Sequence, residues 1–270
     1  METLEAAFDH DRALVFGIGG GGDVVGAVPT ARLLESHGVE TIVGGVTWER
    51  MPTDPRPGPR RLDELRGVEP VSSAVARATP DTRTLDGVVL SETHVARLLD
   101  DDVVLVDING GVEGTAAGLR DACEALDVDL VIGTDSGGDA LARGGEPGLA
   151  SPLADAVVLG ALTALDLDAG LGVFGYGSDG ELTVSELDDA LARIAGEGGL
   201  LGSWGLTPRV VRELEPLLEA VPTEASRLPV EAAGGAIGER AIRDGERALT
   251  LTPASTVTFY FDPATVVETS

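Results

Sequence analysis

Aspartates stand beside glycine clusters at three points of this sequence: Gly19-Gly20-Gly21-Gly22-Asp23, Asp107-Ile108-Asn109-Gly110-Gly111 and Asp135-Ser136-Gly137-Gly138-Asp139. Carboxylates hold cations and move protons, and glycines bare the backbone N–H groups that bind anions. Together they suit a phosphate with a bridging Mg²⁺, because a carboxylate repels a phosphate unless a cation lies between them. Asp107 and Asp135 are the candidate metal ligands, and Asp23 and Asp139 the candidate acid–base groups. The candidate ligand contacts are Gly19, Gly20, Gly21, Gly22, Gly110, Gly137 and Gly138, with Asn109 and Ser136 as hydrogen-bonding side chains. Each aspartate also has a plainer role, capping the helix that follows. For any one tip, Asp23 included, the cap is the favoured reading. For the set, a site is favoured.

A fourth element adds positive charge. The segment WERMPTDPRPGPRR (48–61) carries four arginines against two acids in a chain of net charge −27. Arg50, Arg60 and Arg61 are the candidates to bring guanidinium forks to an anion. A solvated loop paired to the acidic surface weighs equally. Gly17, Gly19 and Gly22 also satisfy the G-x-G-x-x-G dinucleotide pattern, but so glycine-rich a stretch satisfies almost any glycine pattern. The acidic residue that pattern needs, Glu49, lies beyond the usual spacing of about 20 residues. No G-K-[ST] follows, so the loop is not a P-loop. His10, His37 and His94 show no ligand spacing, and the single Cys123 reads as a core residue.

The composition bounds the partners. All 19 basic residues are arginine, there is no lysine or glutamine, and aromatics make up only 3%. This resembles proteins of cells that keep molar salt in the cytoplasm, where charges are screened beyond about 3 Å. Such a charge makes a nucleic-acid partner unfavourable. No apolar run approaches the roughly 20 residues of a membrane span, and the N-terminus lacks the features of a secretion signal. A cytoplasmic location is the expectation, and assembly into a homo-oligomer is compatible with the sequence.

Five apolar strands alternate with helical patterns and must position these tips. The strands are 13–18, 40–46, 103–108, 129–135 and 172–177. The helices are 24–37, 114–126, 155–165 and 184–195. Near-continuous apolar strands with intervening helices predict a doubly wound, mostly parallel α/β sheet of Rossmann type, covered on both faces. The strand carboxyl ends then form one ledge carrying the three tips. Residues 1–270 read as one domain, with 200–270 an extension of it: a helix at 208–220, then strands ERALTLTP and STVTFYF as a hairpin or mixed-sheet edge. Residues 87–92 read as a short edge strand, and Ser178-Asp179-Gly180 as a turn on the ledge.

The GGGGD helix start, the W-E-R…D-P-R-P-G-P-R loop, the D-I-N-G-G and D-S-G-G-D tips and the closing T-F-Y-F-D-P segment resemble an archaeal family known as domain of unknown function 1152. The resemblance spans almost the whole chain. It implies a Rossmann-like sheet and brings no activity or catalytic residues.

Three function classes follow, in order. The first is a cytoplasmic, Mg²⁺-assisted enzyme acting on a phosphorylated metabolite or nucleotide, a phosphotransferase or hydrolase. The second is an NAD(P)-dependent oxidoreductase with Glu49 on a ribose. The third is a non-catalytic small-molecule sensor or assembly protein.

Overall fold

The computed structural model describes residues 1–51, 53–56, 58–99 and 102–270. Pro52 and Pro57 of the arginine-bearing loop lie outside the described residues. In chain order the elements begin with β1 (Arg12–Gly17), α1 (Asp23–Ser36), β2 (Glu40–Val46), β3 (Leu65–Pro70), β4 (Val75–Thr84) and α2 (Ser91–Leu98). There follow β5 (Val103–Val106), α3 (Gly111–Leu126), β6 (Leu130–Ser136), α4 (Leu153–Thr163), β7 (Asp168–Phe174) and α5 (Val184–Gly196). The chain closes with β8 (Leu200–Gly205), α6 (Pro208–Ala220), α7 (Arg227–Ala233), β9 (Gly238–Ile242), β10 (Arg247–Leu251), β11 (Val257–Phe261) and α8 (Pro263–Thr269).

A nine-stranded sheet runs in the order β3-β4-β5-β2-β1-β6-β7-β11-β8. The five strands β5-β2-β1-β6-β7 pair in parallel. Alternation explains their burial: Ala13 and Val15 of β1 enter the core on one face, while Leu14 and Phe16 enter the other. Helices α1, α2 and α6 cover the first face, and α3, α4, α5 and α8 cover the second. This is the expected doubly wound α/β architecture. From β1 the chain winds outward through β2 to β5, then returns to place β6 on the other side of β1. The switch point between β1 and β6, at the strand carboxyl ends, is where such sheets bind ligands. No helix among the described residues is long and apolar enough to cross a membrane.

Two local expectations change. Residues 87–92 form no strand; Thr84 and Val88 hydrogen-bond across the bend, and Ser91 opens α2. The C-terminal hairpin and the mixed sheet edge are both present, but different strands make them and the two expected strands do not pair with each other. β10 forms its hairpin with β9, whereas β11 inserts antiparallel between β7 and β8. The reason is apolarity: Tyr260 and Phe261 are fully buried, which an exposed hairpin cannot provide.

Candidate functional site

The glycine loop is packed rather than open. A Cβ on Gly17 would lie 2.3 Å from the Asp23 backbone, on Gly20 2.5 Å from the Trp48 carbonyl, and on Gly22 2.1 Å from the Thr223 side chain. A Cβ on Gly19 would lie 2.6 Å from Asp23 Oδ2 and 3.1 Å from Asp155 Oδ1. Two of its amides are already used, with Gly19 N–H donating to Asp23 (2.9 Å) and Gly21 N–H to the Trp48 carbonyl (2.6 Å). The loop is therefore the floor of a carboxylate pocket.

Asp23 is the first residue of α1 and does not cap it. Gly22 occupies the cap position without a side-chain bond, and the Asp23 carboxylate folds back onto Gly19. That turns it toward Asp135, near the tip of β6, and Asp155, in the first turn of α4. One carboxylate oxygen from each of the three lies within 4.8 Å of the others. Asp135 accepts the Ala140 N–H at 3.0 Å, and Asp155 Oδ1 is buried with no hydrogen-bond partner among the described residues. A second group, Asp139, Asp179 and Glu181, meets the same distance limit beside it. Asp179 Oδ2 is likewise buried and unpartnered.

Crowded buried carboxylates hold their protons. Burial first, and the Asp139 charge second, raise Asp23 to about 7. Asp139 rises to about 6, through burial and then the Glu181 charge. Asp135, Asp155 and Asp179 lie well above the carboxylate range, each through burial first and the Asp139 charge next. Glu181 goes the other way. Burial pushes it up, but the Ser151 hydroxyl, the Ala150 and Ser151 amides and Arg247 together bring it below its ordinary value. Behind the loop, Glu92 is 1% exposed, leaves Oε1 unpartnered, and is raised by burial, then Glu49, with a smaller push from Asp23.

Not every residue picked from the sequence reaches this pocket. The glycine loop, Asp23, Asp135 and Asp139 do. So does Ser136, whose hydroxyl lies near enough to Asp23 to lower its pKa slightly while bonding Ser226 at 3.3 Å. Gly137 belongs to the same wall, because a Cβ there would overlap the Asp179 carboxylate at 2.2 Å. Gly138 packs against Leu187 instead. Arg50 lies over Gly21 and its charge acts on Asp23 and Asp139. Arg60 is turned away: it is 2% exposed and forked onto Asp54 at 2.6 and 2.7 Å. Arg61 pairs with Asp63 near the surface. Asp107 serves its own loop, receiving the Leu62 amide on Oδ2 and both Asn109 nitrogens on Oδ1, and Gly110 caps α3. Three strand spacings separate the β5 and β6 tips, about 14 Å, so Asp107 and Asp135 cannot share one ion.

Sequence reasoning missed Asp155, Asp179 as a site residue, and Glu181. Asp155 carried a signal, an acid in the first turn of an otherwise apolar helix, but the helix dipole explains that placement equally well. Two surface depressions lie elsewhere, one beside Arg143 and Glu186, the other beside Arg61, Ser72 and Asp107.

Comparison with curated proteins and with solved structures gave no match. The family model described as "Protein of unknown function (DUF1152)" matches residues 14–270, and the chain belongs to that family.

Proposed function

We propose that this protein is a divalent-cation-dependent enzyme acting on a phosphorylated small molecule, with the cation, Mg²⁺ in the first instance, held by Asp23, Asp135 and Asp155. The observation that carries this reading is the unpartnered Oδ1 of Asp155, a residue 3% exposed whose carboxylate groups with two others at the sheet's switch point. Three carboxylates this close repel one another when ionised. A cation removes that repulsion and satisfies the orphaned oxygen. A bound cation would also polarise a phosphoryl oxygen and neutralise charge developing on it. Asp139, raised to about 6, suits the acid–base role beside it.

The packed glycine loop supports a narrower part for itself than a phosphate cradle. Gly20 and Gly22 keep amides that no hydrogen bond among the described residues engages, and the remaining anion contacts must come from side chains. The oxidoreductase reading loses support from Glu49, which is 5% exposed and accepts the Ser91 amide. The sensor reading differs only in lacking turnover. The all-arginine basic set and the acidic surface support a salt-rich cytoplasm as the working environment.

The test is a thermal-melt screen of the metal-free protein in molar KCl, with Mg²⁺ or Mn²⁺ alone and then with phosphate esters and nucleotides. Stabilisation by the cation, increased by a phosphorylated compound that is then turned over, is the expected result. A melting temperature indifferent to both cations would remove the reading. Binding without turnover would favour the sensor.

A further inference from the structure

The pocket has carboxylates for a cation but, with Arg60 committed to Asp54, it needs another source of positive charge for an anion. That charge comes from the C-terminal hairpin, which the sequence did not single out. Arg243 stands in the turn between β9 and β10, and Arg247 opens β10. The hairpin packs over the loop that follows β7: a Cβ on Gly180 would meet Leu249 at 3.6 Å and Ile242 at 3.7 Å. The same loop carries Asp179 and Glu181. Both arginines thereby face the carboxylate pocket from above.

Their partners do not satisfy them. Arg243 Nη2 and Arg247 Nη1 approach the same oxygen, Glu181 Oε1, at 3.5 and 3.6 Å. That oxygen already accepts the Ser151 hydroxyl at 2.6 Å, and Oε2 takes the Ala150 and Ser151 amides. One filled carboxylate thus stands against two guanidiniums. Arg243 Nε and Arg247 Nη1 are buried donors with no hydrogen-bond acceptor among the described residues. Arg243 and Asp244 adopt left-handed φ of 53° and 55° in the turn that joins paired Ile242 and Arg247. Arg50 joins from the other side, its charge acting on Arg243 as well as on Asp23 and Asp139. Two buried guanidinium donors without acceptors, Arg243 Nε and Arg247 Nη1, are a costly arrangement unless an acceptor such as an anion reaches them.

The filled lone pairs of Glu181 also bear on the second acidic group. Glu181 has no capacity left for a cation, so its part is to hold Arg243 and Arg247 in place.

We infer that Arg243 and Arg247, with Arg50, form the anion-binding wall of this pocket and take the phosphate or diphosphate group of the substrate. The inference rests on the reading of the pocket as a site for a phosphorylated compound. It moves the anion contacts from the arginine-rich loop after β2 to the C-terminal hairpin. Planar guanidinium forks bind phosphate oxygens in pairs, and the cation on the opposite wall neutralises the remaining charge.

The experiment titrates the full-length protein with inorganic pyrophosphate, with and without Mn²⁺, and titrates Mn²⁺ separately. The double variant Arg243→Met/Arg247→Met is expected to weaken pyrophosphate binding about 10- to 100-fold while leaving Mn²⁺ affinity within about twofold. Arg247→Lys, which keeps the charge and loses the fork, is expected to fall between. A variant-free measurement accompanies these: phenylglyoxal modification of Arg243 and Arg247 in the wild type, located by mass spectrometry, is expected to slow when pyrophosphate is present. Wild-type protein that takes up no pyrophosphate in either condition, unchanged binding in the double variant, or unprotected arginines would each overturn the inference. Failure of the cation reading looks different, with no Mn²⁺ bound but pyrophosphate affinity still dependent on Arg243 and Arg247.

Discussion

Two strand tips with nearly the same sequence signature end in opposite electrostatic states. At the end of β5, Asp107 precedes Asn109, Gly110 and Gly111; at the end of β6, Asp135 precedes Gly137, Gly138 and Asp139. Asp107 finds its donors within its own loop and the neighbouring Leu62 amide, and its oxygens are satisfied. Asp135 has one amide, from Ala140, and faces the charges of Asp139, Asp155, Asp23 and Asp179. The arginines divide in the same way. Arg60 is matched by Asp54 and Asp86, while Arg243 and Arg247 share one filled oxygen. A motif of Asp and Gly at a strand end therefore does not separate a structural turn from a site. What separates them is whether the chain supplies enough partners to satisfy the charge.

The matched side is expected to respond most strongly to losing one partner. Asp54→Ala takes the bidentate partner from buried Arg60 and leaves it only the half-exposed Asp86, and should lower stability by about 1–3 kcal/mol, read from denaturant unfolding. A loss below about 1 kcal/mol would show that the pair is not what orders this loop. On the unmatched side the largest effect is on binding. Asp135→Ala should weaken Mg²⁺ or Mn²⁺ binding by about 100-fold or more, since even residues behind a metal's direct ligands are worth 10- to 100-fold. Asp107→Ala should leave that affinity unchanged. Equal losses from the two variants would erase the distinction between the tips.

Stability should move in the reverse direction in the pocket. Asp155→Asn removes a carboxyl that must take up a proton when the chain folds at neutral pH, and should stabilise the metal-free protein there by about 1–3 kcal/mol, while weakening cation binding. The pH dependence has a definite sign. Asp23 and Asp139 are raised to about 7 and about 6 in the folded state, from a reference near 3.8. Between the reference and the raised values the folded chain binds more protons than the unfolded one, so stability falls as pH rises. The contribution of Asp23 and Asp139 to the stability of the metal-free protein should therefore be largest near pH 4 and fall toward pH 7, be absent from Asp23→Asn/Asp139→Asn, and be flattened by a saturating divalent cation. A stability that rises over this range, without cation, would mean that these groups are ionised and satisfied.

Much of the fold was legible because burial leaves a period in the sequence. The strands now seen as β1, β2, β5, β6 and β7 are apolar runs bounded by glycine, and their neighbours α1, α3, α4 and α5 follow at regular intervals. The β3–β4 ribbon was not legible. Its residues, LRGVEP and VARATPDTRT, are largely polar and half-exposed, without the apolar alternation of a core strand. The partner of β10 was hidden similarly, since GERAI in β9 carries charges at two of its five positions. Asp23, Asp135 and Asp139 were legible as site candidates from the adjoining glycines. Asp155, Arg243 and Arg247 were not, because each comes from an element distant in sequence, and only the folded sheet and its hairpin bring them to the switch point. The glycines had a second, steric meaning that sequence alone does not carry: Gly19 admits two carboxylates, and Gly22 admits Thr223.

The central claim is that Asp23, Asp135 and Asp155 seat a divalent cation. Calorimetric titration of the metal-free protein with Mg²⁺ near pH 6, repeated in buffers of different ionisation enthalpy, tests it most directly. Carboxylates that hold protons in the free pocket must release them to bind a metal. Saturable binding of one ion with proton release, the affinity falling and fewer protons being released in Asp155→Asn, is the expected result. No saturable binding, or binding without proton release that persists in Asp155→Asn, would contradict it.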